Sequence, residues 1–152
     1  MWNPNPNFMY FCNVQKPEKK YQPLRGKIIH GDALGRTLGF PTANLQTTDL
    51  LPDNGVYIAQ LEWNTKLYQG ILNIGFRPTV QGCEQRVEIH LFNFNGSLYG
   101  ENVTVTPLLF LRKERKFETL EALRAQIAQD QATARGYLQG IRTTQDNPCA
   151  NS

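Results

Sequence analysis

The feature that most constrains this chain is a series of β-rich segments with large apolar groups on both faces. Residues 24–30 read as a short strand ending at a glycine. Gly55 opens a run of β-formers at 56–62, and Asn64-Thr65 offers a tight turn into a further strand at 66–74. Residues 86–94 form another, turned by Asn95-Gly96, and residues 102–111 one more. Within 86–94, Val87, Ile89 and Leu91 share one face while Phe92 and Phe94 take the other. A sheet with one wet face alternates apolar and polar residues. Strands that are apolar on both sides belong to a closed or doubly covered sheet.

The period changes after residue 119. Leu120, Leu123, Ile127, Ala134 and Leu138 fall on one helical face, with Arg124, Gln126, Gln129 and Arg135 opposite. Thr119 is placed as an N-cap, Glu121 lies in the positive first turn, and Gly140 is a natural stop. The pattern predicts one amphipathic helix of about five turns packed on a barrel wall. At 152 residues the chain fits one domain, expected over 24–140. A loosely ordered arm, 1–23, and a flexible tail, 141–152, are expected to flank it.

A net charge of +3 is too mild for the dense basic patch of a nucleic-acid binder, yet suits a small anionic ligand. The three cysteines, Cys12, Cys83 and Cys149, are scattered and form no Cys-x-x-Cys pair. That argues against a disulfide framework or a zinc site and for a reducing compartment. No apolar run approaches the roughly 18 residues of a membrane span. Residues 8–12 are too short for a signal core. A cytoplasmic monomer with no membrane and no nucleic-acid partner is the expectation.

Four places could carry chemistry. The stretch Gly31-Asp32-Ala33-Leu34-Gly35-Arg36-Thr37-Leu38-Gly39 reads either as a plain connection or as a loop whose backbone N–H groups and Arg36 approach phosphate. Its spacing matches neither of the common phosphate-loop fingerprints. Thr42 and Asn44, at i and i+2 in an extended segment, point the same way. Two uncharged hard oxygens make a partial shell for Mg²⁺, or else a turn that hydrogen-bonds only itself. Glu88 interrupts an apolar strand, with His90 facing the same way. Such a carboxylate is paired, at an exposed edge, or functional. The run Arg112-Lys113-Glu114-Arg115-Lys116-Phe117 is either a solvated boundary or a surface for a planar ligand.

These pieces, in this order, resemble the riboflavin kinases, including the C-terminal module of bifunctional bacterial FAD synthetases. The likeness is carried by Gly26-Lys27-Ile28-Ile29-His30-Gly31, Gly35-Arg36-Thr37-Leu38-Gly39-Phe40-Pro41-Thr42-Ala43-Asn44, Gly55-Val56-Tyr57 and Asn73-Ile74-Gly75-Phe76-Arg77-Pro78-Thr79. It continues through Val87-Glu88-Ile89-His90-Leu91, Leu98-Tyr99-Gly100, the Arg112 to Phe117 run and the helix as far as Asp130. The resemblance implies a mainly β fold, a six-stranded antiparallel Greek-key β-barrel with a C-terminal amphipathic helix.

It also implies transfer of the ATP γ-phosphoryl group to riboflavin, giving FMN and ADP, with Glu88 as catalytic base and Mg²⁺ on Thr42 and Asn44. Gly31, Arg36, Leu91, Asn93 and Tyr99 fall at nucleotide positions; Arg112, Arg115 and Phe117 fall at flavin positions. Many bacterial members carry aspartate where this chain has Asn93. That loss of charge touches the nucleotide contacts and not the base or the metal pair. The adenylyltransferase half of the bifunctional enzymes is not part of the sequence, so a chain starting at Met1 is expected to stop at FMN.

Two other classes remain in view. A catalytically silent flavin- or nucleotide-binding barrel, acting as a sensor or partner module, would have no need of a base. A barrel for single-stranded nucleic acid would gather its aromatic residues on one exposed face, whereas here they lie on both.

Overall fold

The structure, a computed structural model, describes residues 19–30 and 41–145, with the backbone alone for 141–145. The glycine-rich loop with Gly31 and Arg36, most of the expected arm, and residues 146–152 of the expected tail lie outside the described residues.

Six strands and one helix follow in order: β1 (Leu24–Ile29), β2 (Ala43–Thr47), β3 (Gly55–Trp63), β4 (Lys66–Thr79), β5 (Gly82–Leu91), β6 (Asn102–Arg112) and α1 (Leu120–Gln145). Every pairing is antiparallel, and the order β1-β2-β5-β4-β3-β6 closes on itself. Closure removes the unpaired strand edges that an open sheet would present. The expected mainly β fold is therefore what the chain adopts. The strand that periodicity did not separate is β2, which is short and only partly apolar.

Both apolar faces now have an explanation. One set of residues, including Leu24, Ile28, Tyr57, Leu61, Leu72, Ile74, Val87, Ile89 and Val105, fills the barrel interior. The alternate set, Ile58 with Phe92, meets Ala134 and Leu138 of α1 on the outside, flanked by Ile71, Leu109 and Leu111. Burying a side chain of this size stabilises the fold by about 1.5–3 kcal/mol relative to exposure.

Local signals held where they rest on backbone chemistry. Asn64 and Thr65 both have positive φ, 50° and 67°, as a two-residue hairpin with type I′ twist requires. Thr119 Oγ1 accepts a bond of 3.1 Å from the Ala122 N–H, which is a helix N-cap.

Three expectations need correction. Strand β5 ends at Leu91, not at Phe94. Asn93 takes a left-handed φ of 53° there, so the chain turns and Phe92 and Phe94 part: Phe92 packs under the helix, Phe94 against the barrel cluster. The helix runs past Gly140 to Gln145, 26 residues in all. Gly140 is not among the glycines of positive φ, so it takes a helical place at a propensity cost of about 1 kcal/mol. The helix face also differs at its edges: Leu120 is 54% exposed, while Gln126 is half-buried. At the other end of the domain, Tyr21 of the expected arm packs edge-on against Tyr57, centroids 5.2 Å apart.

Among the described residues no helix is long and apolar enough to cross a membrane.

Tyr57 joins the barrel to the segment before it, since its hydroxyl donates to the Asp53 carbonyl. Burial first, then the neighbouring Tyr21 and Asp53, raise its pKa above the ordinary 10.0. A raised folded value favours the neutral phenol, so this stability is complete below pH 10 or so and is lost as pH rises through the folded pKa. Tyr57→Phe should cost about 1 kcal/mol in urea denaturation at neutral pH and flatten the alkaline fall in stability. An unchanged alkaline slope would contradict this assignment.

Candidate active site

The site is built by strand register on the outer face of the barrel. Interior residues Val87 and Ile89 send Glu88 between them outward. In the β2–β5 pairing Asn44 lies directly opposite Glu88, and in the β4–β5 pairing Asn73 does. Directly paired residues share a face, so Asn44, Glu88 and Asn73 form one row across three neighbouring strands.

Their hydrogen bonds are uneven. Asn44 Nδ2 donates to the His30 carbonyl at 3.2 Å, which turns its Oδ1 the other way. Among the described residues the buried Oδ1 atoms of Asn44 and of Asn73 have no hydrogen-bond partner. A buried carbonyl oxygen left alone costs about 1–3 kcal/mol. Two such atoms beside one carboxylate could accept from a ligand's donors or meet a cation. The Glu88 carboxylate is itself about one-fifth exposed and is aimed by Arg86, whose Nε lies 2.9 Å from Oε1. Thr42, half-buried, stands just ahead of β2 and two residues before Asn44.

Two depressions lie near this row, with no lining residue in common. The first is lined by His30, Thr42, Leu91, Phe94, Ser97 and Tyr99, among others. The His30 and Tyr99 rings stack across it, with centroids 3.7 Å apart and planes 21° apart. The second is lined by Glu88, Arg86, Asn73, Phe76, Arg77 and Glu114, among others. Gly75 lets Glu114 approach, because a Cβ there would run into the Glu114 carboxylate. Of the expected nucleotide positions, Leu91 and Tyr99 line the first depression. Asn93 is exposed in the turn after β5 and is not among its lining residues.

The expected flavin positions, Arg112, Arg115 and Phe117, cluster in and beside the β6–α1 connection. The Arg115 and Arg112 guanidinium carbons lie 5.2 and 5.9 Å from the Phe117 ring centroid. Arg112 is committed to helix α1: its Nε and Nη2 reach the two oxygens of buried Asp130 at 3.0 and 2.8 Å. Gln126 donates to the same carboxylate at 3.0 Å and accepts from Arg115 at 3.3 Å. Arg112 thus braces the connection, whatever else it touches.

Sequence reasoning named Glu88, Thr42 and Asn44, but not Asn73, Arg86 or Asp130, as site residues. The available signal for Asn73 was a polar side chain in an otherwise apolar strand.

A closed Greek-key barrel carries one depression lined by Glu88 and Asn73 and a second lined by Thr42, Leu91 and Tyr99. Residues 18–138 match the family model described as Flavokinase: Riboflavin kinase. The bifunctional riboflavin kinase/FMN adenylyltransferase of Escherichia coli (strain K12) is 43% identical over 116 residues, covering 75% of this chain and 37% of that protein. The solved structure of riboflavin kinase from Trypanosoma brucei gives a TM-score of 0.53 at 27% identity, covering 78% of this chain and 82% of that one. A structure described as a macrolide-efflux protein from Streptococcus pneumoniae gives 0.69 at 38% identity, over 74% of this chain and 38% of that one. The chain spans little more than a third of the length of the curated relatives it matches. It belongs to the riboflavin kinase family.

Asp130 provides a test of the bracing. Asp130→Ala strands the Arg112 guanidinium and should lower stability by about 3 kcal/mol in urea titration. A loss below about 1 kcal/mol would show that the pair is no stronger than a surface one.

Proposed function

We propose that this chain phosphorylates riboflavin, moving the γ-phosphoryl group of ATP to the flavin 5′-hydroxyl and releasing FMN and ADP. The observation that carries this reading is the buried, unpartnered Asn44 Oδ1 directly across from Glu88, with Glu88 lining one depression and Thr42, two residues before Asn44, lining the other. A phosphoryl transfer needs its donor and acceptor in line, a means of neutralising phosphate charge, and a base at the attacking hydroxyl.

The donor set fits a hard divalent ion. Asn44 Oδ1 is a neutral oxygen already desolvated, and Thr42 offers a second beside it, so both would hold Mg²⁺ together with phosphate and water. When bound, Mg²⁺ supplies charge neutralisation at the phosphates. The chain's own residues do the rest. The depression lined by Leu91 and Tyr99 would take the nucleoside. The one lined by Phe76 and Glu114 would take the flavin, with Phe117, Arg115 and Arg112 closing that end. Gly31 and Arg36 we assign to the loop over the phosphates. Glu88, aimed by Arg86, would accept the proton of the 5′-hydroxyl as the new P–O bond forms. Dependence on ATP and riboflavin suits a cytoplasmic site of action.

With riboflavin, ATP and Mg²⁺, chromatography should detect FMN and ADP in equal amounts; no FMN above background would overturn the proposal in favour of a silent binding barrel. Glu88→Gln should lower kcat by about 10²- to 10⁴-fold while riboflavin binding stays near normal. Full turnover in that variant would remove Glu88 as the base. Asn44→Ala and Thr42→Ala should raise the KM for MgATP, and unchanged values would remove them from the metal site.

A further inference from the structure

Helix α1 presents two consecutive residues, Asp130 and Gln131, to partners outside the helix. Asp130 is buried and held bidentately by Arg112, which fixes this turn of the helix against the end of β6. Gln131 Nε2 lies 2.8 Å from His90 Nε2, and on the other side of the ring His90 Nδ1 lies 2.7 Å from the Pro41 carbonyl oxygen.

The chemistry of this relay selects one tautomer. A carbonyl oxygen only accepts, so His90 Nδ1 carries the proton and donates. Its Nε2 lone pair then accepts from the Gln131 amide, and the neutral ring satisfies both contacts at once. The acceptor is significant. The Pro41 carbonyl belongs to the planar peptide unit that leads into Thr42, so fixing that oxygen fixes the plane from which the Thr42 side chain departs. Two residues on, Asn44 is held by its register with Glu88 and by its bond to the His30 carbonyl.

We propose that His90, seated by Gln131, is a positioning residue: it orients the Pro41-Thr42 peptide and so the oxygen that Thr42 offers to the magnesium nucleotide. The inference rests on the proposed function for the identity of that ligand. It assigns His90 to the donor side of the reaction, and it gives helix α1 a part in the site beyond covering apolar strands.

The test uses the full chain with His90→Leu, His90→Asn and Gln131→Leu. For each, KM values for MgATP and riboflavin, the Kd for MgADP by calorimetry, and the melting temperature are measured. Losing a residue that orients a metal ligand typically costs 10- to 100-fold, so His90→Leu should raise the MgADP Kd and MgATP KM by about tenfold or more. The riboflavin KM should stay within about twofold. His90→Asn keeps an amide donor where Nδ1 stood and should recover most of the loss. Gln131→Leu should fall between them. In the wild type, ¹⁵N imidazole shifts should report the Nδ1–H tautomer.

Wild-type MgADP affinity in His90→Leu would overturn the proposal. So would equal losses for both substrates that follow the melting temperature, because His90 would then be a helix anchor only. His90→Asn behaving like His90→Leu would also overturn it. If the wild type forms no FMN, the kinase reading fails separately, and MgADP calorimetry on the same variants still decides the relay.

Discussion

The pairing of β2 with β5 is the contact on which the rest depends. It is short, recorded at Ala43↔Ile89 and Asn44↔Glu88, and it joins segments far apart in sequence. The same register closes the barrel and builds the proposed reaction centre. A slip of one residue would send Glu88 into the interior and Ile89 outward, losing a core side chain and the proposed base together. Stability and chemistry are thus linked through one ladder, with β4 repeating the arrangement on the other side through Asn73↔Glu88.

That row runs against the economy of the fold. Strands β4 and β5 are apolar where they face the interior, and burial there stabilises the barrel. On the outer face, α1 covers the Ile58 and Phe92 region but leaves the Asn44–Glu88–Asn73 row half-buried. In the proposed reading bound ligand groups complete these amide oxygens, and their cost in the free protein is small beside the summed burial of the core. The helix then ties the two depressions to one scaffold. Asp130 holds Arg112 near one, and Gln131 reaches through His90 toward the other.

Much of this was legible in the sequence for local reasons. Apolar groups on both strand faces required a covered or closed sheet, because the interior takes one set and the helix the other. Asn64-Thr65 and Thr119 were legible because turns and caps are decided by a few neighbouring atoms. Glu88, Thr42 and Asn44 stood out as polar groups in an extended or apolar setting, and the family's motif order gave them roles. What escaped depends on distant contacts or on competing local preferences. Phe92 and Phe94 favour a strand, yet the left-handed turn at Asn93 ends β5 earlier. Gly140 looked like a stop, but glycine ends a helix only when it takes positive φ, and here the helix continues. Asn73 and Arg86 are partners of Glu88 only through register and an ion pair. No spacing rule reveals that Arg112 will be claimed by Asp130.

The central claim is that the Asn44–Glu88 pairing is where phosphate, metal and flavin meet. A crystal structure of the chain with riboflavin, ADP and Mg²⁺ tests it most directly. A magnesium ion is expected about 2.1 Å from Asn44 Oδ1 and Thr42 Oγ1, and the riboflavin 5′-oxygen within about 3.2 Å of a Glu88 carboxylate oxygen. A metal bound away from Asn44, or a 5′-hydroxyl facing a residue other than Glu88, would contradict it.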